Sequence, residues 1–102
     1  MTGRAEKVQE ALDRDLRAAW GAMLNSPAGR LVVWSILEKC HVFQTSYTGG
    51  ADTYFREGER SVGLRLLHDH IFPLGTEYLG QMMAEHAGRL EQIEQALDEE
   101  QE

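Results

Sequence analysis

The chain has 102 residues with one cysteine, two prolines and no basic residue after Arg89. Cys40 has no second thiol to pair with, so no disulfide framework can hold the fold, and a lone thiol suits a reducing compartment. No apolar run approaches the roughly 20 residues that a membrane helix needs. Charged, helix-forming sequence follows Met1–Gly3 directly, which reads as no secretory signal. No basic patch of the size that nucleic-acid binding requires is present, which argues against direct nucleic-acid contact. What is there is 42% apolar and 26% charged residues. That balance suits a globular helical domain rather than a disordered chain, and the length allows one domain.

The net charge of −7 is unevenly spread. Residues 1–90 carry all 10 basic residues against 11 acidic ones, whereas residues 91–102 carry six acidic residues and no basic one. Such a tail reads as a solvated, fraying helix end, because acidic groups at a helix C-terminus oppose the macrodipole. The sharper alternative is an acidic arm that docks on a basic partner or mimics nucleic acid.

Helical periodicity organises most of the chain. Val8, Leu12, Leu16, Ala19, Trp20, Met23 and Leu24 recur at spacings of three and four over residues 4–25, one face of an amphipathic helix. Ser26-Pro27 starts a second helix, since serine caps well and proline at the first helical position gives up an N–H that would be unpaired there anyway. Its LVVWSIL run could be a buried strand, but the Ser-Pro start and the lack of a partner strand pattern favour a central helix. Residues 41–51 read as a loop with a Gly49-Gly50 turn. Asp52 or Thr53 can cap a third helix that ends at Pro73, and Thr76 can cap a fourth. Gly21, Gly58 and Gly63 weaken helix interiors, unless a neighbouring helix packs closely against them.

The expected fold is therefore all-α: a compact bundle of about four helices with a long acidic C-terminal helix. Residues 1–90 form one helical domain and residues 91–102 an acidic helical tail. The expected core includes Leu16, Trp20, Val33, Trp34, Leu37, Phe55, Val62, Leu66 and Met82.

Few residues suggest reaction chemistry. His68 and His70 point roughly 200° apart on a helix, so they cannot share one ion, and the strong zinc spacings are absent. Cys40 and His41 are adjacent helical residues without an orienting third group, so they do not make a nucleophile and base. Gly49-Gly50 lacks the lysine and hydroxyl of a phosphate loop, and Asp52 would repel phosphate. No catalytic residue, metal or cofactor is expected.

The informative polar residues are Arg30, Glu57, Arg60 and Glu85. Arginine and glutamate placed among apolar positions can make bidentate, directional pairs between helices. The expected arrangement is Arg30 or Arg60 against Glu57 or Glu85, with a partner or anion contact as the alternative. The second candidate surface is the stripe Leu79, Met82, Leu90, Ile93 and Leu97 on a fourth helix about 37 Å long. It outlasts what three shorter helices can cover, unless the first helix packs along it. Self-association or another partner is expected there. Acidic residues between the apolar ones favour an antiparallel pair or a basic partner.

The order Pro27, Gly29-Arg30, Val33-Trp34, Leu37, Val42-Phe43, Ser46-Tyr47, Phe55, Glu57-Gly58, Arg60, Val62-Gly63-Leu64, Tyr78, Met82, Glu85 resembles a family of small phage-encoded domains. Its founding member comes from a Bordetella podovirus. The resemblance spans about residues 26–86 and leaves out the first helix and the acidic end. It implies a bacteriophage protein encoded among head and portal genes, with no enzymatic activity to transfer. The function it implies is a virion structural or assembly component, partnered by head or portal-region proteins or by itself. Its location would be the host cytoplasm during assembly, and the virion. The alternative is a phage regulatory or host-interaction module that uses the acidic tail.

Overall fold

The computed structural model describes residues 3–44, 50 and 52–101. The segment containing Ser46-Tyr47 and Gly49, where a turn was expected, lies outside the described residues. The described residues form four α-helices: α1 (Arg4–Leu24), α2 (Pro27–Lys39), α3 (Thr53–Leu66) and α4 (Glu77–Gln101). A π-helical turn, Leu67–Ile71, prolongs α3. Among the described residues there is no strand, so the LVVWSIL segment is helical as expected.

Local chemistry accounts for both ends of α2 and for the end of α3. Ser26 is the N-cap of α2, its Oγ accepting from the Gly29 N–H at 3.0 Å, and Pro27 follows at the first helical position. The other end of α2 closes through a left-handed residue, but that residue is His41 rather than glycine, at φ 57°. The His41 N–H reaches the Glu38 carbonyl and the Val42 N–H reaches the Leu37 carbonyl, at 3.0 and 3.3 Å. This is a Schellman closure, completed by contact of buried Val42 and Leu37 with the same core. The π turn is carried by the Phe72 N–H bonding the Leu67 carbonyl five residues back, at 2.9 Å. Pro73, which has no N–H to continue the ladder, follows directly.

Leu24, Val33, Trp34, Leu37, Val42, Leu67, Ile71 and Met82 form the core, with Trp20, Cys40, Leu64, Phe72, Leu74, Tyr78 and Leu79 packed around it. α2 is the hub: it meets α1, α3 and α4, while α1 also meets the π turn. Trp20 of α1 stacks on His70 of that turn, with ring centroids 5.0 Å apart.

The bundle is open rather than compact. Its radius of gyration is 18.0 Å and its extents are 70 × 38 × 19 Å, where a compact chain of this length would have a radius near about 13 Å. α1 meets the hub only towards its C-terminus, and the distal half of α4 leaves the hub behind. Four expected core positions change accordingly. Leu16, Val62 and Phe55 are exposed, Phe55 by 71%, and Leu66 is only half-buried. Their periodicity is correct, but among the described residues no element lies over those faces.

Glycines sort by their surroundings. A Cβ on Gly63 would lie 2.3 Å from a Val42 methyl and 2.7 Å from the Cys40 Cβ, so close packing of α3 on the end of α2 does offset that glycine. A Cβ on Gly21 or Gly58 would have nothing within 4 Å. Gly21→Ala should therefore follow helix propensity alone and stabilise the protein by about 0.5–1 kcal/mol, read as a rise in denaturation midpoint at unchanged slope.

Candidate functional site

The polar residues resolve into one node. Arg30, on the first turn of α2, is 9% exposed. Its Nε donates to Glu85 Oε1 at 2.6 Å and its Nη2 to Glu85 Oε2 at 3.1 Å, a two-pronged fork on a carboxylate of α4. Its Nη1 donates to the Leu24 carbonyl at 2.9 Å, at the negative end of α1. One guanidinium thus joins three helices. A second link parallels it: Tyr78 Oη of α4 donates to Asn25 Oδ1 at 2.9 Å, on the residue that closes α1.

The electrostatics follow this geometry. The hydrogen bond from Arg30 holds the Glu85 carboxyl below the usual carboxylate range, with the charges of Arg30 and Arg89 assisting and desolvation opposing. The same bond raises Arg30 above its ordinary value.

Gly29 explains why the node can form. A Cβ there would lie 2.0 Å from the Met23 carbonyl oxygen and 2.7 Å from its carbon. Only glycine lets α2 start so close to the end of α1 that Arg30 reaches both Leu24 and Glu85.

The other expected members of the polar set do not join. Glu57 is exposed on α3, and Arg60 Nε is enclosed without a hydrogen-bond partner among the described residues. The stripe on α4 is divided. Met82 is buried in the chain's own core and Leu79 packs beside it, so these two belong to the fold rather than to an open surface. Leu90, Ile93 and Leu97 are 46%, 51% and 52% exposed, and Met83 joins them. α1 carries a second uncovered stripe, Val8, Leu12 and Leu16. Glu91, Glu94, Asp98, Glu99 and Glu100 belong to the same unbroken helix, which runs to Gln101.

Beside the α4 stripe lies a groove of about 270 Å³ whose lining includes Trp34, Glu38, Phe43, Met83 and His86. Trp34 packs against Phe43 and His86, with both pairs of ring centroids 5.1 Å apart. His86 Nε2 sits 3.4 Å from Glu38 Oε1. Sequence reading missed this aromatic set. The i,i+4 relation of Met82 and His86 hinted that His86 shares a helical side with the core, but nothing local pointed to Phe43. The described residues contain no group of three His, Cys, Asp or Glu side chains placed to hold a metal ion, and no helix is long and apolar enough to cross a membrane.

These features define a small all-α domain in which an arginine-glutamate node holds three helices, two of which project with apolar stripes uncovered. The family model described as "Bbp19-like phage protein" matches residues 20–84, and the chain belongs to that family of bacteriophage proteins. No curated protein and no solved structure matches it. The matched segment holds the α1–α2 elbow, the hub and the start of α4, and stops one residue short of Glu85.

Proposed function

We propose that the protein is a non-enzymatic component of a phage particle or of its assembly, acting through helix-mediated contacts with other proteins. The observation that carries this reading is the pair of uncovered stripes, Val8, Leu12 and Leu16 on α1 and Leu90, Ile93 and Leu97 on α4. Contiguous apolar surface on a small soluble domain marks a protein interaction site more often than chance exposure. Both stripes lie outside the matched segment 20–84. The matched part of the chain thus builds most of the hub, and the parts outside it carry the surface offered to partners.

Phage head or portal-region proteins, or further copies of the chain, are the partners this reading assigns. The locations it assigns are the host cytoplasm during assembly and the virion. The interface chemistry is apolar helix packing, with neither a membrane nor nucleic acid as the target. The competing reading is a regulatory or host-interaction module working through the acidic end of α4. Quantitative mass spectrometry of purified virions and of head-assembly intermediates separates the two. The protein should appear in at least one of them in constant ratio to the major head protein. Its absence from both, with a host complex lost on truncation at Leu90, would replace this reading with the regulatory one.

A further inference from the structure

We infer that the uncovered stripe of α4 is a two-stranded coiled-coil seam whose occupant is α4 of a second copy of this chain, lying parallel and in register. The inference rests on the reading that the exposed stripes are docking surfaces, and it names the partner for one of them.

The spacing is the first argument. Met83, His86, Leu90, Ile93 and Leu97 follow one another at three, four, three and four residues, an unbroken a/d repeat of period 3.5. The face of α4 that meets its own hub carries Tyr78, Met82 and Glu85 and overlaps the seam only at its inner end, where His86 packs on Trp34. The chain therefore satisfies one face of α4 and leaves a neighbouring face patterned for another helix. The aromatic groove shares Met83 and His86 with the inner end of the seam, so a helix lying on the seam would also cover the groove.

Charge selects the occupant. With Met83, Leu90 and Leu97 at a, Arg89 falls at g and Glu94 at the following e position. In a parallel, in-register pair these two positions face each other across the seam, so Arg89 of each copy meets Glu94 of the other, twice by symmetry. The remaining flanking positions along the seam are Ala87, Ala96 and Gln101, none of them charged. Glu91, Asp98 and Glu99 fall at b and c, facing away from the partner. The like-charge clash expected for a parallel pair is thus confined to Glu100 at the frayable end. An antiparallel pair would place Glu94 against Ala87 or another Glu94 and leave Arg89 unmatched.

Sterics agree. Gly80 and Ala87, both at e positions, flank the seam with small side chains, and a Cβ on Gly80 would have nothing within 4 Å. Neither residue would hold a second helix away from the seam.

The test uses the full chain with Cys40→Ser and a single new cysteine. Leu97→Cys should form a self-disulfide under mild oxidation, and the product should remain helical at twice the chain mass. Mixing Leu97→Cys with His86→Cys should give little of the mixed disulfide. A dominant 86–97 product would overturn the parallel arrangement. Separately, Glu94→Arg should weaken dimerisation several-fold by setting arginine against arginine, and Arg89→Glu with Glu94→Arg should restore it. Failure of that rescue, with both variants folded by circular dichroism, would also overturn the inference. A parent chain that stays monomeric at hundreds of micromolar, while a head protein is recovered in a complex dependent on Leu90 and Ile93, would overturn the second copy as occupant. It would leave the assembly reading intact.

Discussion

Arg30→Ala should lower the melting temperature by on the order of 10 °C or more, one of the two largest effects expected of any single change. The substitution leaves the Glu85 carboxylate against the hub without its cation and the Leu24 carbonyl without its donor. Breaking one side of an enclosed, hydrogen-bonded charge pair is far costlier than losing a surface pair. Arg30→Lys should not rescue it, because one ammonium cannot span both carboxylate oxygens and the carbonyl of α1. The pH dependence has a definite sign. Glu85 is held below its ordinary value of 4.5, so the pair's contribution is fully present above that value. It is lost as pH falls through the depressed value of the folded protein. The gap in melting temperature between parent and Arg30→Ala should therefore be wide at about pH 6 and close progressively as pH falls below 4.5 and through the depressed value of the folded protein.

Gly29→Ala sets two effects against each other. Helix propensity alone favours alanine by about 1 kcal/mol. Against it, the new methyl would sit 2.0 Å from a backbone oxygen of α1, and backbone cannot swing aside as a flexible side chain can. Overpacking should win, with a net loss of about 2–3 kcal/mol or more, because relief requires opening the elbow and pulling Arg30 from its partners. Urea denaturation reads the result against Gly21→Ala, the same chemical change eight residues earlier, which should move the midpoint the other way. If both alanines stabilise, the elbow is looser than described and Gly29 has no packing role.

The family membership gives these two residues their context. The elbow and Arg30 lie within the matched segment 20–84, as do the core residues Val33, Trp34, Leu37, Val42 and Met82. The order of residues that resembled the family in sequence is, in the fold, largely a set of contacts. Pro27 starts α2, Gly29 admits α1, Arg30 binds Glu85, Phe43 stacks on Trp34, and Gly63 receives Val42. Among the described members of that order, Glu57 is the clear exception. It lies exposed on α3, and the structure shows no bond that explains its place.

What the sequence made legible was local. The helices follow from apolar periodicity, and the Ser-Pro start of α2 and the stop at Pro73 from capping and backbone chemistry within a few residues. Arg30 and Glu85 could be singled out as charges among apolar neighbours, but so could Arg60 and Glu57, because choosing between pairs depends on which helices meet. Periodicity identified the apolar faces of α1, α3 and α4. It could not say that, among the described residues, no element would lie over Leu16, Phe55, Val62 and Leu90, since coverage depends on crossing angles and on where each helix leaves the hub. The π turn and the left-handed His41 carry no strong local signal. Widening one turn seats Leu67 and Ile71 together in the core, and a histidine takes the position that a glycine would have announced.

The central claim is that the outer stripe of α4 is a docking surface and not part of the core. The most direct test combines sedimentation and thermal melting of the parent chain with those of Leu90→Lys/Ile93→Lys at tens of micromolar. Burial of each side chain is worth about 1.5–3 kcal/mol when complete, so the two lysines should remove association outright if the stripe is an interface. The account predicts a parent that sediments above 11.5 kDa and a double variant that sediments as an 11.5 kDa monomer. The helical content of that dissociated variant should match the parent's. A variant that loses its helices rather than its partner would contradict the claim, and a parent already monomeric would contradict self-association as the use of the stripe.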